Sequence, residues 1–224
     1  MAFGKKKTEA QETVTIAAPD FRIVQLGIIG TAPYVFNNFG SEAEEMMRSK
    51  MAKGSLDKKA KTALPPRDFE KDWRASLHTH AGHQRWHGIP CIAFKAAMVR
   101  AASLCGVEMT RAKQCIEVVP DGYGLDDEAL VRITHGEPVR FDRPVRQGTT
   151  CTIRSRGKMT SGWKATVTIK YDSQFISETS IANLLMRAGM QVGVGAGRPF
   201  STMSVGQGWG TFDLVSEASE QAAQ

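Results

Sequence analysis

The stretch Gly162-Trp-Lys-Ala-Thr-Val-Thr-Ile-Lys-Tyr171 alternates in character residue by residue. Trp163, Ala165, Val167, Ile169 and Tyr171 fall on one face, and Lys164, Thr166, Thr168 and Lys170 on the other. A period of two predicts a strand over 162–171, buried on one side and polar or basic on the other. Just downstream, Ser177 precedes Ile181, Leu184, Leu185 and Ala188, the pattern of a capped helix that Gly189 ends. A glycine-rich stretch over 189–210 and a short strand over 211–215 complete the C-terminal half. Upstream, residues 115–119, 129–134 and 150–156 read as strands broken by Gly, Pro and Asp. Before them Phe94, Ala97, Met98, Ala101 and Leu104/Cys105 form an apolar stripe at three-to-four spacing. Pro90 reads as its first helical residue and Gly106 as its left-handed cap. Phe21–Ile29, rich in Ile and Val, reads as the first strand, punctuated by Gly30 and Pro33. Reduced to its core, the order is β-α-β-β-α-β, an α+β, ferredoxin-like arrangement with insertions.

The remaining segments decorate that core. Ser41-x-x-Glu44 has the spacing of a capping box, with Ala43, Met46, Met47 and Met51 behind it, so a helix is predicted from about 42 to 53. The lysine- and proline-rich segment near 54–68 reads as an inserted basic loop. Phe69, Trp73 and Leu77 suggest one short helix. Residues 1–12 read as a disordered arm, 13–215 as a single ferredoxin-like domain and 216–224 as a polar tail. At 224 residues with 42% hydrophobic and 23% charged side chains, the chain supports a packed core, which excludes collagen-like and disordered classes. Cys91, Cys105, Cys115 and Cys151 show no C-x-x-C spacing, so neither a zinc ribbon nor a disulfide scaffold is expected. They read as small buried thiols in a reducing cytoplasm. No apolar run approaches the roughly 20 residues of a membrane span, and no apolar segment follows the basic N-terminus as in a secretory signal.

Charge is the strongest functional signal. The chain carries 29 Lys and Arg against 23 Asp and Glu, a net +6. The region 132–170 alone holds Arg132, Arg140, Arg143, Arg146, Arg154, Arg156, Lys158, Lys164 and Lys170, opposed only by Glu137 and Asp142, a surplus of +7. Guanidinium forks suit phosphate oxygens. Arg140-x-x-Arg143-x-x-Arg146, with Pro138 and Pro144, reads as an exposed, stiff hairpin or loop. The expectation is one electropositive groove for a polyanion; the alternative is a solvated strand face with no ligand.

Two other constellations leave alternatives open. The glycine stretch follows a helix and lacks Gly-Lys-Ser/Thr, so it is neither a dinucleotide fingerprint nor a P-loop. Its N–H groups suit an anion nest, with Arg198, Phe200 and Trp209 adding charge and stacking faces; close packing under a helix explains it equally well. His78, His80, His83 and His87 lie within ten residues, but their spacing matches no zinc helix and no acid nearby in sequence orients them. Loop residues contacting phosphate are expected there ahead of a metal or catalytic site. No metal or cofactor is implied.

Two motifs carry a family resemblance. Residues 88–102, with Ile89-Pro90 opening the helix and Lys95 on it, resemble the first helix of the RAMP superfamily, the repeat-associated RNA-binding subunits of CRISPR effector complexes. The helix over 178–188, the glycine-rich loop and the final strand resemble that superfamily's glycine-rich loop. Ile28-Ile-Gly-Thr-Ala-Pro33 and Ala188-Gly-Met-Gln-Val-Gly-Val-Gly195 are also similar to a group of tailed-phage proteins, over about residues 20–215. The resemblance implies a modified RNA-recognition-type fold in a bacterial host's cytoplasm. It implies binding of single-stranded nucleic acid along the backbone, head-to-tail assembly with other copies of the chain, and phosphate contact by Lys95. Cys91-Ile92 replaces the family's small polar pair. The aspartate with which some members cleave RNA has no counterpart here, so no cleavage is expected.

The expectation is a non-catalytic protein that binds single-stranded RNA or DNA and forms homo-oligomers, without a membrane. Its grip would come from Lys95, Arg100, Arg132, Arg140, Arg143, Arg146, Arg154, Arg156, Lys164 and Arg198, with Phe200 and Trp209 stacking bases. The alternatives are a histidine- or metal-dependent nuclease on the same fold, and an assembly protein whose basic face meets an acidic partner.

Overall fold

The computed structural model describes residues 18–52, 67–147, 149–201 and 205–215. The described residues form an α+β fold with antiparallel sheets and five helices. Strand β1 (Phe21–Gly30) lies between two later strands, β9 (Lys164–Asp172) and β10 (Phe212–Leu214). The β1–β9 register runs from Phe21 opposite Asp172 to Ile29 opposite Lys164. Val24, Leu26 and Ile28 therefore share a face with Ile169, Val167 and Ala165. Helices α3 (Cys91–Leu104) and α5 (Glu178–Arg187) contribute Phe94, Met98, Ile181 and Leu185 to the same core. The opposite face of these strands carries Ile23, Gln25, Lys164, Thr168 and Lys170. The alternation over 162–171 is thus obeyed.

On its other edge β9 pairs with β4 (Ile116–Val119) and, at its start, with β6 (Ala129–His135). β6 in turn carries β3 (Gly88–Pro90) and β5 (Gly122–Tyr123). A second sheet has the order β2 (Tyr34–Val35), β8 (Thr150–Met159), β7 (Val139–Gln147). β7 and β8 form one long hairpin, of which β2 covers only the base at Lys158 and Met159.

The joint between the sheets is Trp163, 1% exposed. Its indole N–H donates to the Ala32 carbonyl at 3.0 Å, and its ring sits 5.9 Å from Tyr34 and 6.2 Å from Phe212. Gly30 makes room for it: a Cβ there would lie 2.0 Å from the indole nitrogen. Helices α1 (Ser41–Ala52) and α2 (Phe69–Ala75) precede β3. Ser76, just after α2, is buried; its hydroxyl donates to the Trp73 carbonyl at 2.6 Å and accepts from the Gly157 N–H at 2.8 Å. That link fastens α2 to the hairpin base.

Several local expectations are corrected. Ser41 lies inside α1, whose first turn closes on the Gly40 carbonyl at 3.2 Å from the Glu44 N–H. Pro90 has an extended ψ of 131° and ends β3, so α3 starts one residue later. Gly106 does take the left-handed cap, at φ 75°. Gly189 does not end α5: the chain passes through a π-helical turn over Ala188–Val192 and ends at Gly193, φ 71°. Helix α4 (Met109–Cys115) is a regular element where the local pattern suggests none, while β7 with β8 takes the hairpin alternative of the reading over Arg140–Arg146. β7 tolerates Pro144 because it is an edge strand. Cys91 and Cys115 are buried, but Cys105 and Cys151 are exposed, and all four thiols are free. The basic loop near 54–68 falls almost wholly outside the described residues, as do the arm 1–12 and the tail 216–224. No described helix is long and apolar enough to cross a membrane.

Candidate nucleic-acid interface

The β7–β8 register sorts the arginines. Directly paired residues share a face of a hairpin. Arg143 pairs with Arg154, Phe141 with Arg156 and Val139 with Lys158, so one face carries Arg143, Arg154, Arg156 and Lys158 and no carboxylate of the hairpin. Arg140, Asp142, Pro144 and Arg146 face the other way, with Ile153, Ser155 and Gly157. On that side Arg140 is neutralised: it donates to Asp142 at 2.7 Å and lies 3.5 Å from Glu70. The Arg140 hydrogen bond, followed by that of Ser155, holds the Asp142 carboxyl below the usual range. The single groove expected from the sequence is therefore split into two faces, and Arg140 belongs to the molecule's own ion pairs.

The cationic face also has an aromatic wall. Arg143 lies 4.7 Å from the Trp209 ring centre and donates to Gln207 at 3.0 Å. Phe141 meets Trp209 edge-on at 5.5 Å, and the Lys158 ammonium sits 4.6 Å from the Phe141 ring. Trp209 is delivered by the glycine-rich loop. Its N–H and that of Gln207 both donate to the Gly197 carbonyl, at 3.2 and 2.7 Å. Gly197, φ 73°, lets the indole approach: a Cβ there would lie 2.5 Å from the ring. Several of the loop's N–H groups are used within the protein. Val194 donates to Gly210, Ala196 to Val35 and Gly210 to Pro33, at 2.8 to 3.0 Å. Close packing accounts for Gly193, Gly195, Gly197 and Gly210, where a Cβ would meet neighbouring atoms within 2.8 Å.

The other residues singled out in the sequence stand on other elements, Arg198 on the glycine-rich loop itself. Arg100 sits 4.2 Å from the ring of Phe200, which packs against the core from the loop. Lys95 is half-buried on the same helix, α3. Arg198 is exposed and donates to the Gly195 carbonyl at 3.1 Å. Arg132, on β6, lies 6.0 Å from the Trp86 ring, and Lys164 pairs opposite Ile29 and His135 on the open sheet face.

The histidines separate in the same way. His78 is buried, and its Nδ1–H donates to the Glu128 carboxylate at 2.6 Å. His80 stacks on Trp86 at 4.5 Å, and His87 bonds Thr79 at 3.2 Å. Among the described residues no three His, Cys, Asp or Glu side chains gather as a metal site. Glu128 is the orienting acid missing from the local sequence; it arrives from the start of β6, a separation no spacing rule detects. Burial pushes the His78 pKa down against the opposing pull of Glu128, and burial also lowers that of His87. The unfolded chain thus binds these protons first. Stability is full above the ordinary histidine value of 6.5 and falls as pH drops below it. Denaturant midpoints are expected to decrease from about pH 7.5 to about pH 5.5, with a shallower decrease in His78→Gln; a midpoint that rises on acidification contradicts this. Burial, then the Asp121 charge, pushes the Cys91 thiol up to about 12, which disfavours its thiolate at neutral pH.

No protein-family model matches the chain, and no curated protein is significantly similar to it.

Proposed function

We propose that this chain is a non-catalytic protein that binds single-stranded nucleic acid, RNA or DNA, through the sugar-phosphate backbone. The observation that carries the reading is the β7–β8 face with Arg143, Arg154, Arg156 and Lys158 side by side and no carboxylate between them. Like charges directly opposite one another, as Arg143 and Arg154 are, repel across a hairpin, and an anion on this face would relieve that repulsion. A chain of phosphates supplies regularly spaced anions, and the partly exposed rings of Trp209 and Phe141 border the same cations, so a base would stack there on displacing Arg143 or Lys158 from its ring. The cationic face replaces the wider groove as the principal contact; Lys95, Arg100 and Arg198 serve as a second group of candidates around α3 and the loop.

The strand order favours a ferredoxin-like, modified RNA-recognition-type core. β1, α3, β4, β9, α5 and β10 follow one another in the chain. The four strands lie in the antiparallel order β10-β1-β9-β4, with both helices contributing to the core on one side. In this reading β2 with the β7–β8 hairpin, and β3, β5 and β6, are insertions. Together with the two RAMP-like motifs, it makes cooperative assembly of copies along a strand part of the proposal. Protein purified from cells should carry nucleic acid, seen as a raised 260/280 nm absorbance ratio that nuclease treatment removes. Size-exclusion should show an assembly that shrinks with it. An assembly that forms and persists free of nucleic acid would instead support the assembly-protein alternative.

One observation favours a second reading, acid–base cleavage of RNA. A carboxylate-oriented imidazole such as His78–Glu128 is the form a general base takes. Incubating labelled RNA and DNA with the protein and with His78→Ala decides: RNA products formed only by the unaltered protein support cleavage, and intact strands in every lane remove it.

A further inference from the structure

A pocket of about 400 Å³ lies where the Asn37–Gly40 segment, α2 and the β2-side edge of β8 meet. Arg67, Lys71, Arg154 and Arg156 line it, and among the described residues Asp72 is the only carboxylate in the wall. Asp72 is already engaged by Arg67 at 2.6 Å, and Arg67 also donates to the Ile153 carbonyl at 3.0 Å. Arg154 and Arg156 differ. Neither has an ion pair or side-chain hydrogen bond among the described residues, although they stand two residues apart on one strand face. Arg156 is half-buried, and burial, then the neighbouring Arg154 charge, pulls its pKa down. Two guanidinium groups held together, one of them partly desolvated, form an arrangement that the protein does not itself compensate.

We propose that this pocket is a phosphate-binding site, with Arg154 and Arg156 as its paired forks. A phosphate oxygen is the acceptor whose geometry matches a guanidinium fork, and two adjacent forks match the several oxygens of one phosphate. Asn37 and Asn38 add neutral polar residues to the wall, the Asn38 amide N–H already donating to the Leu77 carbonyl at 3.3 Å. The pocket's volume admits a phosphate with its attached sugar and falls within the range of small-ligand sites. The inference goes beyond the single-strand reading: it assigns one seat for one phosphate, carried by a strand end, by an internal linkage or by free inorganic phosphate.

A ³¹P NMR titration of inorganic phosphate into the full chain tests the site without nucleic acid. Saturable broadening of the phosphate signal is expected, with at least tenfold weaker binding in R154Q/R156Q and unchanged binding in R146Q. Absence of saturable broadening, or equal binding by the double variant, overturns the site. If the double variant does not fold, Arg154→Lys replaces it; this keeps the charge, loses the fork, and is expected to weaken binding severalfold. Single strands bearing 5′-phosphate, bearing 5′-hydroxyl, or circularised then identify the source. Preference for the 5′-phosphate that disappears in the double variant assigns a strand end. Equal binding of all three, weakened together in the double variant, assigns an internal phosphate. Phosphate binding with no strand binding supports the pocket and overturns the strand reading alone.

Discussion

Arg143→Glu combined with Arg154→Glu is expected to weaken binding of a single-stranded oligonucleotide on the order of 100-fold, while Arg140→Gln with Arg146→Gln changes it by less than about threefold. The two pairs are equally basic in sequence and lie within the same hairpin, but the register separates them. Arg143 and Arg154 are direct cross-strand neighbours on the face without carboxylates, beside Trp209 and Gln207. In the proposed reading, reversing both charges would remove two phosphate contacts and place two carboxylates on the face assigned to the strand. Each tenfold loss corresponds to about 1.4 kcal/mol, within reach of one charge-assisted hydrogen bond. Arg140 is already held by Asp142 and Glu70, so its removal costs the strand little. Fluorescence anisotropy at fixed salt measures all three proteins, and circular dichroism checks that each is folded. Equal losses on the two faces would contradict the assignment.

Gly30→Ala is expected to destabilise the fold by about 2–4 kcal/mol, and Trp163→Ala by about 3–5 kcal/mol. The Gly30 methyl would have to occupy space 2.0 Å from the indole nitrogen, and Trp163 cannot retreat because it is buried between Tyr34 and Phe212. Trp163→Ala leaves a large cavity and strips the Ala32 carbonyl of its donor. Because the first substitution acts through the second residue, the double variant should lose clearly less than the sum of the two. Urea unfolding of the four proteins reads the coupling; strict additivity would place the origin of the Gly30 effect elsewhere.

The parts of this molecule that are legible in its sequence are those whose information is local. The alternation over 162–171 forms β9, the apolar stripe behind Pro90 forms α3, and Ser177 caps α5 by accepting the Ser180 N–H at 3.2 Å. Where structure depends on distant partners, local pattern fails. Pro144 and the dense charge of 139–147 leave hairpin and loop equally open, and an edge position with pairing to β8 makes it the hairpin. Spacing by three suggests that Arg140, Arg143 and Arg146 act together; a strand's period of two puts Arg143 opposite the other pair. The acid that orients His78 lies 50 residues away at Glu128, and no motif joins them. The glycine loop has two equally sound explanations in sequence, and the close approaches at Gly195 to Tyr34 and at Gly197 to Trp209, which support packing, come from residues far away in the chain or across the loop.

The salt dependence of single-strand affinity is the sharpest check on the cationic hairpin face. Four cations on one face, each meeting a phosphate, give a slope of log affinity against log salt of about −3 for a single strand. Replacing Arg143 and Arg154 by Gln should make that slope shallower by about 1.4, and replacing Arg140 and Arg146 should leave it unchanged. A slope near zero for the unaltered protein, or one that the Arg143 and Arg154 changes do not move, would show that this face does not hold the strand.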